Sequence, residues 1–295
     1  MLIKEKYKFN FFFFLNTFLN FRFDFLLCKY FFYFSRSDIK YFIFKNINFY
    51  FYFKKFFIYL LFFDKFFKLN INFEFYLPVY YENNCFFLLN KPFNIVIHNC
   101  VNNFFNNNLI NDLIYFYGKK ILFFFRLGFL NRIDKDTTGL IVISKKNVFY
   151  INYLNQFLNI LIFKNYLVYI FGFLRNLTIK SPLFFKKKNI NFFFNSFTIF
   201  NLLFRINYFN YKISIANCLI NTGRTHQIRI HLNYIKKYII CDNIYNNINK
   251  KNFFKYLDRQ CIHLFSLNFF YYNLNIFFIL KNNYDMLNLF KFIVF

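Results

Sequence analysis

Every apolar run in this chain is short. Examples are Phe11–Leu15, Phe56–Phe63 and Ile121–Phe125, and Lys54, Lys55, Asp64 and Lys65 bracket the second. A helix that spans a bilayer needs about 20 consecutive apolar residues. The 58% hydrophobic content therefore belongs in cores built from short elements, and no membrane partner is expected. Lys4 and Lys6 ahead of Phe11–Leu15 imitate a signal peptide, but no small-residue cleavage site follows, which argues against that reading. The same stretch leaves a mitochondrial or plastid transit peptide open.

The chain of 295 residues holds 59 Phe and 25 Tyr but no Trp. Phe, Tyr, Lys, Asn and Ile share A/T-rich codons, so the usage reads as mutational pressure in an AT-rich genome, a reduced bacterial or an organellar one. Most of these rings then stand in for Leu or Val in cores. Cores overfilled with rings are hard to pack at native density, which predicts marginal stability. Scanning calorimetry is expected to place the unfolding midpoint no higher than about 60 °C, and a midpoint well above that would refute the expectation.

Net charge is +26, from 38 Lys and Arg against 12 Asp and Glu. Such an excess favours a polyanionic partner, of which nucleic acid is the commonest. The competing explanation is a biased genome that writes Lys wherever a polar surface residue will serve. Six cysteines (Cys28, Cys85, Cys100, Cys218, Cys241 and Cys261) are scattered without metal-ligand spacing and read as buried, reduced thiols. Of the four histidines, His226 and His231 are five apart and so point from different helix faces; His98 and His263 suggest no site either. Neither a metal nor a cofactor is expected.

The first 75 or so residues are the most aromatic and the least patterned. Within them Ser35 or Ser37 can cap a short helix over Asp38–Lys45, and Asn46–Phe53 alternates like a strand. Pro78 marks a boundary. Beyond it Cys85–Leu89 reads as a buried strand ended by Asn90-Lys91-Pro92, and Ile95–His98 as a second strand. Leu140–Ile143 is apolar, β-branched and too short for a helix, hence a core strand. Tyr166–Phe171, closed by Gly172, is another. Lys212–Ala216 alternates ahead of a Thr222-Gly223 turn, and Thr225 can cap a helix with Ile228, Leu232 and Ile235 on its inner face. The Asn-rich stretches Asn102–Asn111 and Asn243–Lys251 read as loops. Strands and helices mix irregularly, which argues for an α+β fold over a repeated βαβ wind.

Three segments stand out. Leu130-Asn-Arg-Ile-Asp-Lys-Asp-Thr-Thr-Gly139 puts two of the twelve acids, Asp134 and Asp136, beside Arg132 and Lys135, just ahead of a core strand. A rigid scaffold presents reactive groups from such loops, and neighbouring cations favour charge on a carboxylate. A charged turn with internal salt bridges fits the same letters. Asn221-Thr-Gly-Arg-Thr-His-Gln-Ile-Arg-Ile-His-Leu232 puts Arg224 in a turn at a helix N-terminus, where anions are attracted, and Arg229 one turn in, with a fork of donors for a carboxylate or phosphate. An amphipathic helix with a basic solvated face fits equally. Lys164-Asn165-Tyr166 opens a strand with a ring that can stack on a base, although ordinary core packing explains most of 25 tyrosines.

Taken together, the segments carry a resemblance. Asn131-Arg-Ile-Asp134 with Thr137-Thr-Gly139 resembles the signature of the RluA-type RNA pseudouridine synthases, usually His-Arg-Leu-Asp followed by Thr-Ser-Gly. Thr222-Gly-Arg-Thr-His-Gln-Ile-Arg229 is similar to the second motif of that family without departure. Asn90-Lys-Pro92, Lys164–Gly172, Ile239–Tyr245 and Arg259–Phe269 resemble further segments, all in family order across about residues 79–270. The resemblance implies an α+β catalytic domain with a mainly antiparallel mixed sheet and an RNA cleft across it. It implies Asp134 as the catalytic aspartate, Tyr166 stacked on the target base and Arg229 paired with Asp134. It implies RNA contacts or pocket shaping by Arg132, Arg224, His226, Gln227, Lys91 and Lys164. Asn131 stands in place of the family His, and Asn94 and Cys241 in place of family glycines, which strains turns that need a small residue.

Arg22-Phe-Asp24 with Phe34-Ser-Arg-Ser37 resembles the small S-four-like RNA-binding domain that precedes many large-subunit ribosomal members. Residues 1–77 are expected to form this degenerate module, with Arg36 touching RNA, and residues 78–295 the catalytic domain. The expected partner is ribosomal RNA, most of all the large subunit. The expected setting is a monomer in a bacterial cytoplasm, with an organelle left open. The rival readings are a tRNA pseudouridine synthase and an RNA-binding ribosome-assembly factor without turnover.

Overall fold

The computed structural model describes residues 77–97, 109–117, 128–187, 190–245 and 257–294. The S-four-like segment and Arg36 lie outside the described residues. The chain divides into two compact units. The described part of one is the helix α1 (Leu109–Tyr117), and all other described elements belong to the other.

That second unit is α+β, as expected. Its strands are β1 (Val79–Glu82), β2 (Phe86–Lys91), β3 (Thr138–Ser144), β4 (Phe163–Phe171), β5 (Leu177–Lys180), β6 (Leu183–Lys187), β7 (Ile190–Phe194), β8 (Phe197–Tyr208), β9 (Tyr211–Ile220), β10 (Tyr238–Ile239), β11 (Ile262–Tyr271) and β12 (Leu274–Ile279). The helices after α1 are α2 (Asn147–Leu158), α3 (Gln227–Tyr234) and α4 (Tyr284–Val294). One long sheet runs β1-β2-β3-β11-β4-β9-β8-β5, with β10 added to β4 and β12 to β11, while β6 and β7 form a separate hairpin. Among the described strands the one parallel pairing is β3 with β11, and it joins only Thr138 and Gly139 to His263 and Leu264. From Ser266 onward that edge of β11 is taken by β12.

The central strands form where the sequence is most apolar. All seven residues of β3 are buried, as expected of a β-branched run covered on both faces. On β4, Tyr166 and Tyr169 are an odd number of residues apart and face opposite sides of the sheet. The Tyr169 hydroxyl donates to the Met286 carbonyl of α4 (3.3 Å). On the Tyr166 face the Lys164 ammonium lies over the Phe157 ring of α2 (5.2 Å). Helix α2 buries Phe149, Tyr153 and Gln156, and the Phe149 ring stacks on Phe86 of β2 with centroids 4.5 Å apart. Spacings of four and three place these residues on one helical face, a periodicity that the Phe- and Tyr-rich background conceals.

Three local expectations fail. Leu109–Asn111, the end of a stretch read as a loop, opens helix α1. Ile95–His98 is not a strand: among the described residues 95–97, Val96 makes only an isolated bridge. The reason is local, because Asn94 is left-handed (φ 60°) and the Ile95 carbonyl is taken by the Lys91 ammonium (2.9 Å). Nor does Thr225 cap α3. The helix starts at Gln227 behind a left-handed His226 (φ 53°) that makes no side-chain cap. The Gln227 Oε1 instead accepts from the Arg224 N–H (3.2 Å) and the Thr222 hydroxyl (2.8 Å).

Candidate active site

Loop 131–137 enters β3 and is held at many points. Asn131 is buried, and its amide grips the next strand twice: Nδ2 donates to the Leu140 carbonyl (3.0 Å) and Oδ1 accepts from the Val142 N–H (2.8 Å). The residue that departs from the usual family His thus serves as a backbone clamp. Thr137 N–H donates to the Asp134 carbonyl (3.1 Å) and closes the tip as a turn. Lys91 Nζ donates to the carbonyls of Pro92, Ile95 and Lys135 at 2.7–2.9 Å. Burial pulls its pKa down to about 7, while three carbonyl acceptors match the three hydrogens of the ammonium form. From β11 and the residues before it, Gln260 donates to the Thr137 hydroxyl (2.6 Å), and His263 Nδ1 meets the Thr138 hydroxyl (2.8 Å).

His263 is fully buried, and burial, aided by the nearby Arg259 charge, lowers its pKa to about 4. The unfolded chain binds this proton near pH 6.5 and the folded chain only near pH 4, so the unfolded state takes up more protons between the two. Stability should therefore fall as pH drops from 6.5 to 4, by about 3 kcal/mol from this one group. Urea titrations across that range check it. His263→Gln should flatten the dependence, and an unchanged slope in the variant would refute the assignment.

The Asp134 carboxylate emerges from this loop with 27% of its side chain exposed, and Arg229 Nη1 on α3 donates to its Oδ2 at 3.1 Å. The two are 95 positions apart in the chain. The rest of the guanidinium is bound by Asp242, through Nε to Oδ2 (2.7 Å) and Nη2 to Oδ1 (2.8 Å). Burial opposes charge on Arg229, but the hydrogen bond and charge of Asp242, and then those of Asp134, raise its pKa above the ordinary value. Burial likewise opposes charge on Asp242, and Arg229 with two backbone N–H groups lowers its pKa below the usual carboxylate range. The Tyr245 ring lies against the guanidinium (5.1 Å), and its hydroxyl meets His226 Nδ1 at 3.1 Å. His226 Nε2 stands 3.8 Å from Asp134 Oδ2. Desolvation lowers the His226 pKa, so at neutral pH this contact is with an uncharged ring.

Tyr166 is 6% exposed. Burial raises its hydroxyl pKa, with the Asp134 charge second and Cys218 and Tyr153 after it, which sets the phenol near the carboxylate. Two residues earlier, Lys164 is buried and its pKa falls to about 8 by desolvation. A Cβ at Gly223 would stand 3.1 Å from the Lys164 Nζ, so the lysine lies directly against the Thr222-Gly223 turn.

The fold therefore brings Asp134, Arg229, Tyr166 and His226 together, with Lys164 under the adjoining turn. Arg132 and Arg224 are exposed. Lys91, Lys164 and Gln227, expected to touch RNA or shape the pocket, lie inside. Lys91 is wholly occupied by carbonyls, and Gln227 also donates to the Phe197 carbonyl (3.0 Å) and the Thr198 hydroxyl (3.1 Å). Asp242 and Tyr245 join the site without a role read from sequence. Their one signal is that they fall in Ile239–Tyr245, a segment matched to the family but given no function. The glycine replacements have a visible consequence, since Asn94 (φ 60°) and Cys241 (φ 59°) both stand in left-handed backbone, a conformation that favours glycine.

Comparison with known proteins agrees with this geometry. The chain is 31% identical over 169 residues to an uncharacterized RNA pseudouridine synthase, YlyB, of Bacillus subtilis (strain 168), covering 54% of either protein. It is 32% identical over 209 residues to ribosomal large subunit pseudouridine synthase C of Buchnera aphidicola subsp. Baizongia pistaciae, covering 65% of this chain and 62% of that one. The chain spans little more than half the length of the curated relatives it matches. Among solved structures, human RNA pseudouridylate synthase domain containing 1 shares the fold, with a TM-score of 0.56 at 18% identity over 70% of this chain and 84% of that one. The profile of the RNA pseudouridylate synthases matches residues 85–234, just over half of the sequence and the span that carries Asp134, Tyr166 and Arg229, and the chain belongs to that family.

Proposed function

We propose that the chain isomerises uridine to pseudouridine in ribosomal RNA, of the large subunit above all, with Asp134 as the catalytic residue. The observation that carries this reading is the 3.1 Å pair between Asp134 and Arg229, formed beside Tyr166 across a long separation in sequence. In the reaction the bond from ribose C1′ to uracil N1 breaks, the base turns, and a bond from C1′ to C5 replaces it, while the C5 proton leaves and N1 takes one up. A carboxylate serves this chemistry either as a nucleophile at C1′ or as a base that draws a ribose proton to give a glycal. Because the reaction is an isomerisation, it calls for no electron acceptor.

A uridine within structured RNA must first leave its stack, at a cost of a few kcal/mol. Stacking on Tyr166 returns about 1–3 kcal/mol of that. Arg132 and Arg224, both exposed, meet the backbone, and Arg36 adds a contact from the segment read as an S-four-like module. Binding then weakens steeply with salt, as expected when lysines and arginines displace counterions. Similarity to proteins named for the large ribosomal subunit supports the choice of RNA, a substrate that a bacterial cytoplasm or an organelle supplies.

The test is incubation of the purified chain with transcripts of large-subunit ribosomal RNA, small-subunit ribosomal RNA and tRNA, followed by chemical mapping of pseudouridine. Product at discrete positions of the large-subunit transcript is expected. Product confined to tRNA would overturn the substrate, and salt-sensitive binding with no product on any transcript would overturn the activity.

A further inference from the structure

We propose that Asp242 is a positioning residue, which grips one edge of the Arg229 guanidinium, through Nε and Nη2, so that Nη1 points at Asp134. The inference rests on the activity proposed above. A guanidinium carries five N–H groups in one rigid plane. Asp242 takes two of them side-on, from Nε (2.7 Å) and Nη2 (2.8 Å), which removes rotation about the end of the side chain. Nη1 is left in a single direction, where it meets Asp134 at 3.1 Å.

The grip is itself anchored. Asp242 is fully buried, and its Oδ1 also accepts from the N–H groups of Ile244 (2.9 Å) and Tyr245 (3.1 Å). Its own N–H donates to the Ile239 carbonyl (3.2 Å), and Ile239 lies on β10, which pairs with Ile170 and Phe171 of β4. The same strand carries Tyr166. One short segment thus ties the orientation of Arg229 to the strand that presents the stacking ring. It also holds Tyr245 against the other face of the guanidinium (5.1 Å).

The arrangement has an electrostatic consequence. A buried guanidinium with one partner could not release that partner without leaving a costly uncompensated charge. Here two carboxylates share one cation. Arg229 stays neutralised by Asp242 when Asp134 turns from it to the ribose, and the departure breaks one 3.1 Å contact. Asp242 therefore both aims the arginine and leaves Asp134 free to change partners during the reaction.

The experiment compares the wild type with Asp242→Asn, Arg229→Gln, the double variant and Arg229→Lys, reading kcat and KM separately on one transcript. Asp242→Asn presents an NH2 to donors that need an acceptor, and kcat is expected to fall about 100-fold, the effect of misplacing a catalytic contact by an ångström. KM should stay within about twofold. Arg229→Lys keeps the charge, loses the fork, and should lose a comparable factor. The double variant should be no slower than Arg229→Gln alone, because Asp242 acts through Arg229. A role in folding alone predicts multiplied losses, or losses that track melting temperature, and either would overturn the inference, as would full kcat in Arg229→Lys if Asp242→Asn does not fold. A crystal structure of Asp242→Asn gives a readout that needs no turnover. The contact from Arg229 Nη1 to Asp134 should open beyond hydrogen-bond reach, about 3.5 Å. Its persistence would refute the positioning role, whereas absence of product from the wild type bears only on the proposed activity.

Discussion

Asp134→Asn is expected to leave RNA binding within about twofold and to lower the rate of pseudouridine formation by at least about 10³-fold, the scale seen when a reacting side chain is removed from an enzyme. The structure explains why the two measurements should separate. Asp134 is partly exposed, and the buried guanidinium beside it is already neutralised by Asp242. Asparagine keeps a carbonyl oxygen in the place of Oδ2, so Arg229 Nη1 retains an acceptor. The loop backbone is held by Asn131, Lys91, Gln260 and His263, none of which contacts the Asp134 carboxylate. What is lost is the charge and the lone-pair reactivity at one position. Retained binding with retained turnover would remove Asp134 from the chemistry. Loss of both together would mean that the loop had collapsed.

Gly139→Ala should be the most damaging small substitution for stability, at about 4 kcal/mol or more. Gly139 has φ +128°, and a Cβ there would sit 2.3 Å from the Leu264 carbonyl oxygen and 2.7 Å from the Leu264 nitrogen. Both obstacles are backbone, so no side chain can swing aside. The position lies in the parallel pairing that joins β3 to β11, and relief would require separating those strands at the foot of the loop that carries Asp134. Domains are stable by about 5–15 kcal/mol in total, so a large unfolded fraction at 25 °C is expected. Urea unfolding of the wild type and variant measures it, and a difference under 1 kcal/mol would be incompatible with the contact.

Strands β2, β3 and β4 are legible in the letters because short apolar runs, bounded by Asn-Lys-Pro, Gly or charged residues, have few other solutions. The α+β class follows from the irregular order of elements, and the mainly antiparallel sheet is what the family resemblance implied. Other features are hidden. The periodicity of α2 is masked because Phe and Tyr occupy both faces of Asn147–Leu158 in a chain rich in rings. The start of α3 is hidden because no side-chain cap marks it: a left-handed His226 precedes the helix, and Gln227 Oε1 turns back to the Arg224 N–H and the Thr222 hydroxyl. Ile95–His98 looks like a strand until Lys91, four residues earlier, claims the carbonyl of Ile95.

By itself the sequence determined where the loop of Asp134 lies, which helix carries the fork of donors, and which strand carries Tyr166, since motif spacing and apolar period are properties of adjacent residues. Tertiary structure alone decided the partners. Arg229 has five donors, and nothing local says that Nε and Nη2 go to Asp242 and Nη1 to Asp134. Lys91 reads as a surface charge and ends fully buried under three carbonyls. The physical reason is reach. A long polar side chain chooses among groups brought near it by strand pairing, and that choice is set by burial and geometry across tens of residues, beyond what any local pattern encodes.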